Sequence, residues 1–482
     1  MAVIDQDTAV VADVREGTYG DAVAAVEPGG AEFIPLSERH GDTRTLFGTW
    51  TSPNLEFATI FVGVIAVSFF GQSFWDAVLA IIVGTGLGSL THGYLSSRGP
   101  RFGVPQMVQS RISFGFIGNI LPAGLNSVTA GIGWFAVNSV SGALALNVLL
   151  GVNDWVCLIF VGIAQTLLAF YGHNLIQLFE RWMLPVLGVA FLIASVVILS
   201  KTHPGATHTT QGFGGFLLSV GAAFGYACGW NPFASDFTRY FKPESGRSAG
   251  LWSGAGVFIS CVALEIVGAA SATLPGSNSN PTALFTSHMS TAVADITLIA
   301  IAFGAICANA LNVYSGVMSF LSTGIRLPYK WRRAVVALGF GSIGFVVAGL
   351  GLHNAATDYT NFLLVISYWI APWLGVFFAD WLLRRGQRVD GFLFDRKHNP
   401  WAGPAAMLIG MAVSIPLFSN QTEFVGLIPK HNPGIGDLTF EVGFVVSALL
   451  YWLFYSLSGD KRSEALVIPD TADRGVSTAA VP

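Results

Sequence analysis

The feature that most constrains this chain is its shortage of charge for its length. Only 11% of its 482 residues are charged, whereas an average soluble domain carries roughly 25%. A surface exposed to water cannot be built from so few charges. Because the hydrophobic residues make up 52% of the chain and are spread along it, one buried core or one membrane anchor cannot account for them. Lipid must therefore cover most of the surface.

Twelve stretches are long and apolar enough to cross a bilayer, since a transmembrane helix needs about 20 mostly apolar residues. We number them as spans 1 to 12, and they cover residues 46–70, 75–97, 115–150, 155–172, 175–200, 213–241, 248–274, 292–322, 332–351, 361–384, 401–419 and 437–458. The sequence therefore predicts an all-α integral membrane protein with about twelve transmembrane helices.

Basic residues fall almost entirely on one side of these spans. With the N-terminus inside, Lys201 and Lys430 are the only outward residues among the 24 Lys and Arg of the chain. Positively charged residues near helix ends are retained on the cytoplasmic side of a membrane. We therefore expect a multi-pass protein of the plasma membrane with both termini in the cytoplasm.

The two ends of the chain differ from the spans between them. Residues 1–45 are acidic and lack the positive start and apolar core of a signal peptide, which predicts a disordered cytoplasmic tail. Residues 459–482 have a similar character, and we expect a second cytoplasmic tail there. Between the tails, residues 46–200 and 213–384 form two five-helix halves, and residues 401–458 add two further helices.

Spans 1 and 6 each contain residues that interrupt a helix. The interrupting residues are Trp50-Thr51-Ser52-Pro53-Asn54 in span 1 and Gly225, Gly229 and Trp230-Asn231-Pro232 in span 6. Proline removes a backbone donor and clashes with the preceding turn, and glycine lowers the cost of non-helical dihedral angles. Because these spans lead the two five-helix halves, the pattern predicts an inverted-repeat transporter whose broken helices expose backbone groups to a ligand.

Several local stretches resemble one known family. They are Gly133-Trp134-Phe135-Ala136-Val137-Asn138-Ser139 in span 3, Gly229-Trp230 and Ser235-Asp236-Phe237-Thr238-Arg239-Tyr240 in span 6, Asn309-Ala310-Leu311-Asn312-Val313-Tyr314-Ser315 in span 8, and Phe362-Leu363-Leu364 through Tyr368-Trp369 to Ala379-Asp380-Trp381 in span 10. On these stretches, residues 46–458 resemble the purine-cytosine permease branch of the nucleobase:cation symporter-1 family. The resemblance implies a leucine-transporter-like core of two inverted five-helix repeats, with spans 1 and 6 broken, plus two extra C-terminal helices. It also implies symport of a nucleobase-like small molecule with a cation.

Four polar or aromatic residues in spans 3 and 8 suit a planar heterocycle. Trp134 and Asn138 are four apart and share one helical face, as do Asn309 and Asn312, three apart. Bases stack on aromatic side chains at about 1 to 3 kcal/mol each, and a carboxamide both donates and accepts hydrogen bonds. Helix packing is the alternative role of these residues. The resemblance implies that the residue at the Asn309 position contacts the base, which ranks Asn309 above Asn312.

The resemblance also implies a second stacking aromatic residue, supplied by span 6. The Gly-Trp match assigns this role to Trp230, with Tyr226 about one turn away as the alternative. Ser52 and Asn54, at the break in span 1, complete the expected set of substrate-binding residues.

The coupling ion is the next question. In sodium-coupled relatives, backbone carbonyls of the span 1 break bind Na⁺ together with hydroxyls two and one residues before the position matched by Asn309. Those places hold Cys307 and Ala308, and neither supplies a hard oxygen ligand. Glu56, just after the break, is the one acid within span 1, and an ionisable residue at membrane depth is a functional candidate. We therefore predict proton coupling through Glu56, with Glu265 as a second candidate acid. The alternatives are Na⁺ held partly by Glu56 and a purely structural role for this carboxyl.

Two other classes of protein fit the sequence less well. An integral membrane enzyme would show clustered acids or His/Asp ligand sets within its spans, and a channel would show repeated pore helices or rings of charge. We therefore expect a monomeric secondary transporter that imports a cytosine-like or purine-like base with H⁺ by alternating access. It should use no cofactor or metal and bind no nucleic acid. Hydantoins, allantoin and vitamin-like pyrimidines or pyridines are the alternative substrates.

Overall fold

The computed structural model describes residues 10–15, 30–171, 173–325, 332–458, 466–469 and 476–477. Within these residues, nine helices are long and apolar enough to cross a membrane, and the bent first span makes a tenth. Two shorter apolar helices, Val335–Gly351 and Ala402–Phe418, correspond to spans 9 and 11. The prediction of an all-α integral membrane protein with about twelve spans is confirmed.

The spans have the following bounds. Span 1 consists of Thr45–Thr51, the 3-10 turn Ser52–Asn54 and Phe57–Ser68, and span 6 consists of Gly212–Cys228, the 3-10 turn Asn231–Phe233 and Ala234–Thr238. Spans 2 to 5 are Phe74–Ser96, Ile120–Leu150, Asp154–Tyr171 and His173–Lys201. Spans 7 to 12 are Gly246–Ser271, Thr291–Ser322, Arg332–Gly351, Ala355–Leu383, Ala402–Phe418 and Thr439–Ser458. Short helices at Gly99–Phe102, Gln106–Gln109, Arg111–Gly118, Pro281–Thr286 and Leu427–His431 lie in the connections.

The spans pack in two groups that use equivalent helices of the two halves. Spans 1, 2, 6 and 7 contact one another, and spans 3, 4, 8 and 9 contact one another. Each group thus takes two helices from the first half and the corresponding two from the second, as an inverted repeat requires. Span 10 packs on span 6, and spans 11 and 12 pack on each other and on span 10.

Span 1 is broken where the sequence predicts it. Its two helices meet at an angle of 59°, and Leu55 and Glu56 leave helical geometry with ψ angles of 71° and 172°. Pro53 lies within the turn that precedes them and removes a backbone donor there. A Cβ added at Gly304 would lie 2.3 Å from the Leu55 carbonyl oxygen, so only glycine lets span 8 pack directly against the break.

Span 6 is interrupted as well, but it keeps its direction. The first helix ends at Cys228, and the turn that carries Pro232 precedes the helix that begins at Ala234. Among the helix pairs of the described residues that together could form one membrane span, only the pair in span 1 is bent by more than 40°. The predicted interruption therefore occurs in both spans, whereas the wide bend occurs in span 1.

The described parts of both tails contain short strands, and the disorder that their composition predicts stays a prediction for the remaining residues. Strand β1 (Val10–Val11) pairs in parallel with β2 (Leu466–Pro469), which pairs antiparallel with β3 (Val476–Ser477). Phe33 and Phe392 belong to a small apolar cluster beside these strands. The few apolar residues of the acidic N-terminal tail, such as Phe33, thus pack against apolar residues of the loops between spans. The remaining residues of both tails lie outside the described ranges.

The N-terminal tail and the loops richest in basic residues meet on one face of the membrane domain. Arg39 donates to the Pro100 carbonyl at 2.6 Å, and Arg239 donates to the Gly30 carbonyl at 2.8 Å. Lys201 lies at the far end of span 5, on the opposite face. The face formed by residues 30–44, 98–111, 239–247 and 384–398 is called the tail face below.

Candidate functional site

The site predicted from the sequence lies where the break in span 1 meets spans 3, 6 and 8. Glu56 exposes 1% of its surface, Trp134 exposes 5%, and Asn138 is fully buried. These three residues and Tyr226 of span 6 form one cluster of contacts, called the base pocket below after the ligand that the sequence predicts. The structure therefore brings together residues that lie up to 170 positions apart in the chain.

Trp134 is positioned by an irregular turn of span 3. Residues Thr129–Trp134 form a π-helix, a wide turn that is frequent at functional sites. The indole meets Tyr226 edge to face, with ring centroids 5.5 Å apart, and meets Phe362 of span 10 in the same way at 5.0 Å. The flat surface predicted for a heterocycle is thus part of an aromatic pocket with contributions from three spans.

Glu56 faces the base pocket. The Tyr226 hydroxyl donates to Glu56 Oε1 at 3.1 Å, and the Thr59 and Tyr226 hydroxyl oxygens are 2.5 Å apart. When the Asn138 amide is oriented with its nitrogen toward span 1, it donates to Glu56 Oε2 at 3.2 Å. Because a carboxylate only accepts hydrogen bonds, this orientation gives Glu56 a second donor, and the Asn138 oxygen then accepts from Asn312 Nδ2 at 3.2 Å. Glu56 is therefore bonded to side chains of spans 3 and 6 that line the pocket.

Trp230 contacts the break in span 1. Its indole nitrogen donates to Asn54 Oδ1 at 2.9 Å, and its ring packs against Trp50 with centroids 5.7 Å apart. Asn54 in turn donates to the Trp50 carbonyl at 2.7 Å. Trp230 and Asn54 thus join span 6 to the break in span 1, while Tyr226, the alternative residue, contacts Trp134.

The two asparagines of span 8 differ in their bonding. Asn309 Nδ2 donates to the Phe135 carbonyl at 3.0 Å and to Gln165 Oε1 at 2.7 Å, which joins spans 3, 4 and 8. Asn312 Nδ2 donates to Asn309 Oδ1 at 3.3 Å. Its own carbonyl oxygen, Oδ1, has no hydrogen-bond partner among the described residues. Asn312 therefore offers an acceptor to a ligand, whereas the Asn309 amide is already engaged.

Ser52 faces away from the base pocket. Its hydroxyl is fully buried and faces the carboxyl of Glu180 in span 5 and the thiol of Cys307 in span 8. Sequence reasoning missed Glu180, although an isolated acid in an apolar span is the same signal that identified Glu56. Glu180 is adjacent to Arg181 and near one end of its span, which gives it the appearance of an ordinary residue at a helix end.

Glu265, the second candidate acid, lies between spans 7 and 2. The Thr85 hydroxyl donates to its Oε2 at 2.6 Å, which is a helix-to-helix contact. In the part of the chain that the structure describes, no three His, Cys, Asp or Glu side chains are grouped closely enough to hold a metal ion.

A cavity of ≈ 330 Å³ on the face opposite the tail face lies beside the base pocket. Phe57, Phe61, Tyr359 and Phe362 line it together with Gly133, next to Trp134. The lining of the cavity is mainly apolar, with aromatic side chains on the side of the base pocket.

Comparison with known protein families gives one match that spans most of the chain. The family described as "Permease for cytosine/purines, uracil, thiamine, allantoin" matches residues 33–443. The protein YxlA of Bacillus subtilis is 29% identical over 446 residues, which cover 90% of this chain and 96% of that protein. The purine-cytosine permease fcyB of Emericella nidulans is 28% identical over 474 residues, covering 90% of this chain and 91% of fcyB.

A solved structure has the same fold. It is Mhp1, a nucleobase-cation-symport-1 family transporter, in a closed conformation with bromovinylhydantoin bound. The TM-score is 0.67 at 20% sequence identity, and the match covers 90% of this chain and 95% of Mhp1. The predicted transporter fold is therefore confirmed.

Proposed function

Because the chain belongs to the family of permeases for cytosine/purines, uracil, thiamine and allantoin, we propose that it imports cytosine or a purine base together with a proton. It is a secondary transporter that acts by alternating access, as a monomer, with the tail face in the cytoplasm. Another planar heterocycle, such as allantoin, a hydantoin or a vitamin-like pyrimidine, is the alternative substrate, and Na⁺ is the alternative ion.

The observation that supports this proposal best is the composition of the base pocket. A nucleobase has two flat faces and an edge that carries neighbouring donors and acceptors. Trp134 supplies a flat surface, and Asn312 Oδ1 supplies an acceptor that has no hydrogen-bond partner within the described part of the chain. Glu56 and Asn138 supply a second acceptor and an amide at the same depth. Stacking and edge recognition are therefore available together, as compact heterocycles require.

Proton coupling is supported by the place of Glu56. Protonation turns one oxygen of a carboxylate from an acceptor into a donor, and an uncompensated charge is costly to bury. Glu56 is bonded to Tyr226 at the edge of the pocket, so a change in its protonation changes the hydrogen bonds offered to a base. By thermodynamic reciprocity, base binding then changes the affinity of Glu56 for a proton.

The orientation is supported by the distribution of charge between the two faces. Arg39 and Arg239 lie on the tail face, in bonds to backbone carbonyls, and positive residues near helix ends are retained in the cytoplasm. The cavity on the opposite face then gives the base an entrance from outside, which corresponds to import.

The proposal is tested first with purified protein. Ligand binding raises thermal stability by mass action, so nucleobases, nucleosides, hydantoins and vitamins are compared with and without Na⁺. We expect stabilisation by cytosine or a purine base that does not require Na⁺. If no planar heterocycle raises the melting temperature, the proposal fails.

The ion is tested with Glu56→Gln. Base affinity of the wild type should change with pH, and proteoliposomes with an imposed inward proton gradient should accumulate base without Na⁺. Glu56→Gln should bind base with an affinity that no longer depends on pH, and it should not concentrate base, because an amide cannot carry the proton. Glu265→Gln is the matched control and should behave as the wild type. Accumulation that requires a Na⁺ gradient and ignores a proton uncoupler would disprove proton coupling.

A further inference from the structure

Glu180 is a buried acid of span 5 that has no ion-pair partner among the described residues. It exposes 2% of its surface, and neither carboxylate oxygen forms a hydrogen bond of normal geometry with another described residue. Asp380, also buried, is ion-paired with Arg384 at 3.0 Å. A charged carboxylate buried without such a partner is strongly destabilising. The surroundings of Glu180 therefore favour a proton or a bound cation on this side chain.

Two polar side chains from other spans face the Glu180 carboxyl. They are Ser52, from the break in span 1, and Cys307, from span 8. The Ser52 hydroxyl is itself buried and without a hydrogen-bond partner of normal geometry among the described residues. A thiol is a poor ligand for a hard cation, so one carboxylate, one hydroxyl and one thiol suit a proton better than Na⁺.

A cavity of ≈ 680 Å³ connects Glu180 with the tail face. Its other charged or titratable lining residues include Arg15, Glu38, His40, Arg44, His173 and Arg181. Arg15 forms an ion pair with Glu38. Cys307 lies close enough to Glu180 and to Glu56 for the charge of either carboxylate to act on its thiol. The basic residues of the cavity favour a carboxylate at its inner end once water reaches that end.

We infer that Glu180, with Ser52 and Cys307, is the site from which the coupling proton leaves toward the tail face. The inference rests on the proposed proton symport and adds a second acid to it. In the release step, the O–H bond of the Glu180 carboxyl breaks and its proton passes to water in the cavity, which leaves the carboxylate and a hydronium ion. The reverse transfer restores the acid.

The geometry links this release to transport. Ser52 belongs to the broken segment of span 1, whereas Glu180 and Cys307 belong to the continuous helices of spans 5 and 8. A movement of the broken segment relative to spans 5 and 8 would change the contact between Ser52 and Glu180. It would also change the access of water to the carboxyl. The proton thus stays bound while the three spans are packed together and is released when they separate.

The experiment compares Glu180→Gln with Glu265→Gln and the wild type, all in proteoliposomes that contain the full chain. Base binding and its pH dependence are measured on the same preparations, followed by base exchange at equal pH and by accumulation under a proton gradient. Glu180→Gln should keep base affinity within about twofold of the wild type, because it lies outside the base pocket. Its accumulation ratio should fall about tenfold or more, since its site cannot release a proton. Glu265→Gln should accumulate base as the wild type does.

Glu180→Asp is the second variant and keeps a titratable acid. It should restore accumulation in part, which a side chain needed only for packing would not do. Accumulation by Glu180→Gln equal to the wild type would overturn the inference, as would loss of base affinity in this variant. Accumulation driven by a Na⁺ gradient alone would overturn the assignment of the proton. A wild type that binds and transports no heterocycle would instead disprove the proposed function itself.

Discussion

The two sides of the break in span 1 differ in how their polar groups are paired. On the side of the base pocket, Glu56 accepts a hydrogen bond from Tyr226 and lies within hydrogen-bond distance of Asn138. On the side of the tail face, Glu180 and Ser52 face each other without a hydrogen bond of normal geometry. A ligand that enters a paired site must replace the bonds it breaks, so only a ligand with a matching edge binds well. A buried acid without an ion-pair partner, such as Glu180, avoids the cost of a buried charge by binding a proton. The proposed functions of the two sides therefore differ: the side of Glu56 would select a base, and the side of Glu180 would bind and release a proton.

The largest expected effect is that of Trp134→Ala on base uptake. Uptake should be almost abolished while the protein still reaches the membrane, because a methyl group cannot replace stacking worth about 1 to 3 kcal/mol per base. Trp134→Phe should retain part of the uptake. Transport and membrane abundance are measured together. Normal uptake by Trp134→Ala would mean that the base binds elsewhere, and the cluster around Glu56 would then not be the base pocket.

The next effect separates the two asparagines of span 8. Asn312→Ala should weaken base binding by about 1 to 3 kcal/mol, the usual cost of an unmet buried polar group. Its melting temperature without ligand should stay close to that of the wild type. Asn309→Ala should lower this melting temperature, because it removes the hydrogen bonds to the Phe135 carbonyl and to Gln165 Oε1 that join spans 3, 4 and 8. Both quantities come from one thermal-shift titration. The reverse outcome would favour Asn309 as the contact to the base, as the family resemblance implies.

The smallest effect is expected from Ser52→Ala, on the side of the tail face. Base affinity should stay within about twofold of the wild type. Accumulation under a proton gradient should fall by about two- to fivefold, the range expected when one hydrogen-bonding group is lost. Equilibrium binding and proteoliposome uptake give the two numbers. A fall in base affinity with unchanged accumulation would indicate that Ser52 binds the base, as the sequence predicts.

The sequence predicts much of the fold and part of the base pocket. Polar residues are rare in apolar helices, so Glu56, Trp134 and Asn138 stand out individually, and the structure brings them together. The interruptions at Pro53 and Pro232 are equally visible, because proline cannot make the helical hydrogen bond. The isolated side chains and the helix breaks can be predicted because they depend only on residue type and on neighbouring positions in the sequence.

The sequence does not show how far each helix is rotated about its own axis, and this rotation decides which side chains face the pocket. Tyr226 and Trp230 are one turn apart, and which of them meets Trp134 depends on how span 6 is rotated and on the π-turn of span 3. The site around Glu180 was missed for a related reason. Ser52, Glu180 and Cys307 come from three spans, and the sequence does not display that they lie together.

The pairing of β1 with β2 has a consequence for the order in which the molecule forms. Val10 and Val11 are made before span 1, whereas their partners Leu466 and Val467 are made after span 12. Contacts between residues this far apart in sequence are slow to form, because the intervening chain must first be arranged. During synthesis the first strand therefore waits in the unpaired state while the helices between it and its partner are inserted. Its pairing is among the last native contacts that a newly made molecule acquires.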